Sequence, residues 1–160
     1  MKITEMHIQR LMAADRELAR QLFVIMTEVF GEECAQLSDN YLDHLLSRVD
    51  FWAIAALVGD EIIGGITGHT LPMTRSESSE VFIYDIAVQA AYQRQGVGRQ
   101  LVSALRESAA IAGIQDVFVP ADNDDIHALD FYRALGGVAA PVTFFTFSRQ
   151  SPGNINDAMV

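Results

Sequence analysis

The chain has 160 residues, 50% of them hydrophobic and 20% charged, which predicts one globular domain over 1–150 whose core needs no disulfide, and excludes a disordered polyelectrolyte. A net charge of −10 and a pI of about 4.6 set the surface against nucleic-acid phosphates and anionic membranes, while drawing in polycationic small molecules. The longest apolar run, 51–58, is far too short to span a bilayer, and Met1-Lys2-Ile3-Thr4-Glu5 does not open a signal peptide, so the expectation is a soluble cytoplasmic protein.

Residues 6–11 alternate and read as a first strand. A helix follows over 15–30, with Leu18, Leu22, Ile25, Met26, Val29 and Phe30 at helical spacing and Gly31 as its C-terminal cap. Ser38 or Asp39 caps a shorter helix running through 48. Glu32, Glu33, Asp39 and Asp43 form an acidic edge around this connection. Cys34 stands alone and reads as a small, partly buried thiol and not a nucleophile, and the four histidines lack metal-ligand spacing, so no metal is expected. Residues 51–58 and 62–71, separated by the turn pair Gly59-Asp60, read as a hairpin. After a polar loop over 72–79, residues 80–88 are dense in β-branched and aromatic side chains and are taken as the central strand.

The stretch Gln93-Arg94-Gln95-Gly96-Val97-Gly98-Arg99 comes next. It carries two glycines at the entrance of an amphipathic helix that stops at Gly113. Uncovered N–H groups and the positive end of the helix dipole make such an entrance a cradle for an anion, and Arg94 and Arg99 add charge beside it. A Walker loop is excluded by the missing Lys and Ser/Thr, and a dinucleotide loop by Leu101 at the third small position. Residues 116–120 are a fifth strand. The acidic turn 121–125 leads to a helix over 127–135 ending at Gly136-Gly137, residues 141–149 are a last strand, and 151–160 a loose tail. The whole predicts an α/β fold with a mixed, mostly antiparallel central sheet flanked by helices.

The loop 93–98, directly after Ile86-Ala87-Val88, closely resembles the Gln/Arg-x-x-Gly-x-Gly/Ala pyrophosphate loop of the GNAT acetyltransferases. Ala128 to Gly136 resembles that superfamily's later helix, Ala-x-x-x-Tyr-x-x-x-Gly, with Tyr132 as the tyrosine near the coenzyme sulfur. More narrowly the chain is similar, over roughly 40–137, to the type I aminoglycoside 3-N-acetyltransferases. Tyr41-Leu42, Leu45-Leu46, Leu71-Pro72, the run 79–88, the glycine loop, Ala121-Asp122, Asp124-Asp125 and 128–136 carry this likeness. Gly137-Val138 departs from the usual Gly-Phe or Gly-Ile ending.

The resemblance implies the acyl-CoA N-acyltransferase fold and acetyl-CoA as cofactor, held by Gln93, Arg94, Gln95, Gly96, Val97, Gly98 and Arg99 and by the backbone of Ile86, Ala87 and Val88. It implies a cationic aminoglycoside acetylated on the 3-amino group of its 2-deoxystreptamine ring, lined by Glu80, Tyr84, Asp85, Asp122, Asp124 and Asp125. It also implies a homodimer. An amine attacks a thioester only when neutral, so a carboxylate or a relayed water must take a proton. Glu80 and Asp85 are the candidates, with Asp85 either the base or an electrostatic anchor for a second ammonium group; by resemblance Tyr132 serves the departing thiolate. Two rivals share the loop: an N-acetyltransferase for a polyamine, an amino sugar or a protein N-terminus, and a non-catalytic acyl-CoA-binding module.

Overall fold

A computed structural model describes residues 2, 3 and 5–149, in two compact units divided between Ala121 and Asp122. The first unit holds a five-stranded sheet: β1 (His7–Arg10), β2 (Phe51–Val58), β3 (Glu61–Pro72), β4 (Ser79–Val88) and β5 (Asp116–Phe118), in that spatial order. All neighbours are antiparallel except β4 and β5, which run parallel for three residues only. Three helices belong to it: α1 (Arg16–Phe30), α2 (Asp39–Leu46) and α3 (Val97–Ile111). The second unit contains α4 (Ile126–Ala134). The mixed, mostly antiparallel sheet with helices is the predicted α/β class.

Local chemistry sets the element ends where the sequence marks them. Gly31 closes α1 in the left-handed region, giving its N–H to Glu28 O, and the Ser38 hydroxyl accepts the Tyr41 N–H at the start of α2. Strand β2 reads as an unbroken apolar run because both its faces are covered, and Phe51 to Leu57 are all buried. Phe51, Ala53, Ala55 and Leu57 join Ala19, Leu22 and Met26 of α1 and Leu46 of α2 in one core. Gly65 of β3 lies beneath Leu22, and a Cβ there would stand 2.8 Å from the Ile54 carbonyl oxygen, so the close approach of α1 depends on glycine. On the far face α3 buries Val97, Leu101, Val102, Leu105 and Ala109.

Three expectations are corrected. Cys34, on the loop between α1 and α2, is exposed and not partly buried. The central strand is β3, since β4 has only the short β5 beyond it. Residues 141–149 form no strand: they have no ladder partner among the described residues, and Val142, Phe144, Phe145 and Phe147 are 68–96% exposed. The predicted tail lies outside the described residues. Among them, no helix is long and apolar enough to cross a membrane.

Candidate active site

The site begins with an irregularity in β4. Thr67 faces Asp85 across the ladder, but the next pair is Gly68 with Ile83, so Tyr84 is an extra residue, a β-bulge. The bulge turns two consecutive side chains to one face. Asp85 shares the face of Thr67, its opposite number. Tyr84 meets the rings of His69 (5.6 Å) and Phe82 (5.8 Å), and His69 lies two residues along the same strand from Thr67. Alternation from Phe82 puts Glu80 there as well. Glu80, Tyr84 and Asp85 are therefore brought together, on the sheet face that α1 and α2 cover in part.

Rings run across this face without a break. Phe51 meets Phe23 of α1 at 6.5 Å and His69 at 5.3 Å, and beyond Tyr84 and Phe82 the row ends with Phe118 of β5, 5.3 Å from Phe82. Tyr84, in the middle of the row, is 62% exposed. The half-buried Asp85 carboxyl is held above the ordinary carboxylate range, first by burial and then by the charge of Glu32, which follows α1. Asp39 and Asp43, from the same acidic edge, are instead paired with Arg20 and Arg16 of α1 and so tie α2 to α1.

The free edge of β4 leads to the glycine loop. Gln89 donates its N–H to Ile63 O at 2.9 Å. Bonded pairs alternate in an antiparallel ladder, so Ala87 with Gly65 and Asp85 with Thr67 are also bonded pairs. Ala87 thus turns its N–H to β3, whereas Ile86 and Val88 turn theirs outward, beyond the last pairing with β5 at Phe82. The Val88 carbonyl accepts from Gln93 Nε2 at 3.0 Å. Gln95 donates to Ala91 O and accepts from the Ile3 N–H, so both glutamines brace the loop. Arg94 sits at φ 62° and Gly96 at φ 85°; a non-glycine residue in that region is a local strain found most often at functional sites. Gly96 is the N-cap of α3 with no side-chain cap, leaving the first-turn N–H groups uncovered beside exposed Arg94 and Arg99, while Val97 is buried and anchors the turn. The geometry is that of an anion site at a helix N-terminus.

In the second unit, Asp122 Oδ1 accepts the Asp124 N–H and Asp125 Oδ1 accepts the Ala128 N–H, capping α4. Two of the three expected substrate carboxylates thus have local hydrogen-bonding duties. Tyr132 is half-buried, and burial first, then the charge of Asp125, pushes its phenol above the ordinary tyrosine range. The Gly137 N–H donates to Tyr132 O at 2.9 Å, fixing the helix end. Thr67 and His69 carried no mark in the sequence: they reach the site only through the register of β3 on β4. A cavity of about 350 Å³ in the first unit, lined by Ala13 to Leu18 and Asp43, holds none of the expected site residues.

Comparison with known proteins gives this arrangement its context. The Acetyltransferase (GNAT) family model matches residues 16–136. A soil-metagenome aminoglycoside acetyltransferase, meta-AAC0020, crystallised with trehalose, superposes with a TM-score of 0.87 at 33% identity, over 91% of this chain and 97% of that one. The same enzyme has been crystallised with sisomicin. A second enzyme of that description and source, HMB0005, gives a TM-score of 0.87 at 30% identity, over 92% of this chain and 100% of that one. The uncharacterized N-acetyltransferase YvbK of Bacillus subtilis (strain 168) is 32% identical over 102 residues, 64% of this chain; the match spans about three fifths of that protein, 61%.

Proposed function

The chain belongs to the GNAT acetyltransferase family, and from that premise we propose that it is an acetyl-CoA-dependent N-acetyltransferase of aminoglycosides, acting on the 3-amino group of the 2-deoxystreptamine ring. The observation that carries the acceptor is the bulged face of β4. Glu80 and Asp85, with Glu32 nearby, offer negative charge to ammonium groups, and Tyr84 offers a ring on which a sugar or an ammonium can rest. The 33% identical meta-AAC0020, crystallised with sisomicin, supports the same class.

The residues fit the cofactor. Arg94 and Arg99 and the uncovered N–H groups of the α3 entrance suit the diphosphate, with Gln93, Gln95 and Val97 shaping the loop around Gly96 and Gly98. The outward N–H groups of Ile86 and Val88 suit an extended chain laid along β4 and can polarise a carbonyl. Bound acetyl-CoA supplies the acetyl group as a thioester. Asp85 takes a proton from the incoming ammonium, directly or through water, so that the amine attacks neutral. Glu80 holds a neighbouring ammonium, as do Asp122, Asp124 and Asp125. Tyr132 gives its phenolic proton to the departing sulfur and is reprotonated, through solvent, by the second proton lost from the acylated nitrogen. No side-chain nucleophile is assigned, because proximity suffices for direct transfer.

The test is coenzyme A release from acetyl-CoA with sisomicin, gentamicin, kanamycin and spermidine, followed by locating the acetyl group on the product. Turnover on gentamicin with the acetyl group on the 3-amino nitrogen supports the full reading. Turnover on spermidine alone assigns the chain to the rival amine acetyltransferases, and cofactor binding without turnover on any amine assigns it to the binding-module class.

The working unit is proposed to be a homodimer. Val142, Phe144, Phe145 and Phe147 present a contiguous exposed apolar run of the kind that pairs with another chain. Sedimentation of the wild-type protein is expected to give a dimer, and the double change Phe144→Ser with Phe147→Ser a monomer. A wild-type monomer would refute the assignment.

A further inference from the structure

Opposite Asp85, and on the same face of the sheet, stands the hydroxyl of Thr67. The residue is 4% exposed and its Oγ1 finds no hydrogen-bond partner among the described residues. Burying a hydroxyl without a partner is costly, whereas a valine of the same shape would cost nothing in that position. The other buried unpaired atoms, Arg10 Nε and Arg16 Nε, differ in kind, because those side chains are engaged elsewhere: Arg10 stacks on Trp52 at 3.9 Å and Arg16 pairs with Asp43 at 2.8 Å. Thr67 has one polar atom, and it is idle.

Its neighbour has the complementary deficit. Asp85 is half-buried, and among the described residues none donates a hydrogen bond to its carboxylate; the influences on it are burial and the like charge of Glu32. A donor without an acceptor thus faces an acceptor without a donor across a bonded ladder pair, where Cα atoms stand about 5.5 Å apart. That separation lets two short side chains meet directly once they turn about χ1, and since Oγ1 is closed to water the carboxylate is the acceptor within its reach. We propose that Thr67 is a positioning residue for Asp85: its hydroxyl, turned to hydrogen-bond the carboxylate directly, orients it toward the incoming amine and holds it ionised. The catalytic role of Asp85 rests on the proposed function; the Thr67 to Asp85 link does not.

The experiment keeps the two apart. Asp85 is followed through its carboxyl carbon by NMR as pH is varied, in the wild-type protein and in Thr67→Val and Thr67→Ser. The charge acting on it is that of Glu32 beyond α1; His69 on β3 and Glu80 and Tyr84 on its own strand share its face of the sheet, and α1 itself presents Ala19, Leu22 and Met26, which carry no charge. Thr67→Val is expected to move the Asp85 titration upward, Thr67→Ser to leave it near the wild-type position, and Glu32→Gln to move it downward in every background. On a competent amine, Thr67→Val should lower kcat about tenfold with an unchanged KM for acetyl-CoA, and Ser should rescue it. In an Asp85→Asn background, Thr67→Val should have no further effect on kcat. An Asp85 titration unmoved by valine would overturn the proposal and leave Thr67 a filler. If wild-type protein acetylates no amine, the proposed function fails while the titration still decides the role of Thr67.

Discussion

Asp85→Asn is expected to lower kcat/KM for the amine by about a hundredfold or more, while leaving the fold as stable as before or more so. Asparagine keeps the shape of the side chain and its place opposite Thr67 on the bulged strand, so the change removes little but a charge. Burial and Glu32 hold the folded-state pKa of Asp85 above its unfolded value. The folded chain therefore binds this proton more tightly than the unfolded one, and the associated stability, present at low pH, is lost as pH rises through the folded pKa. An amide cannot ionise and escapes that loss. Thermal unfolding of the two proteins near neutral pH checks the sign: lower activity with an undiminished Tm marks a residue kept for chemistry, and a fall in both marks a packing role. The kinetics separate base from anchor. A base appears in kcat, with an acid limb that lies above the ordinary carboxylate range, shifts downward in Glu32→Gln and vanishes in Asp85→Asn; an anchor appears as a raised KM for the amine at unchanged kcat.

Much of this site was legible because its signals are local. A glycine pair at a helix entrance, Gly31 after an amphipathic run, Ser38 before one and Gly59-Asp60 between two apolar runs each act within a few residues, and each element formed where its marks stood. What was not legible depends on pairing. Strict alternation from Tyr84 to Asp85 would send the two side chains to opposite faces, and only the register shift against β3 puts them side by side. Thr67 and His69 acquire meaning from what lies across the ladder. The carboxylates of Asp39 and Asp43 read as part of an acidic edge, and nothing beside them in the chain marks Arg16 and Arg20 of α1 as their partners. The segment 141–149 has the composition of a strand, yet composition cannot supply a neighbour, and among the described residues none stands beside it.

Tyr132→Phe should lower kcat about a hundredfold and change the KM for acetyl-CoA by less than about twofold. Phenylalanine keeps the ring that meets Phe131 at 5.1 Å, and the hydrogen bond from Gly137 to Tyr132 O belongs to the backbone, so α4 and its end persist and only the hydroxyl is lost. That hydroxyl suits a proton donor. Burial and the charge of Asp125 push the phenol above the ordinary tyrosine range, so it stays protonated through and beyond neutral pH, and no alkaline limb should appear below that range in the wild-type enzyme. Asp125→Asn tests the cause separately from the role: it keeps an oxygen to accept the Ala128 N–H, removes the charge, and should let the phenol titrate at lower pH. If Asp85 and Tyr132 move protons at opposite ends of one transfer, the double variant should lose less than the product of the two single losses, because a path already slowed at one end gains less from help at the other. Unchanged turnover in Tyr132→Phe would remove the phenol from the chemistry, leaving the sulfur to depart unassisted and the proton balance to Asp85 and water.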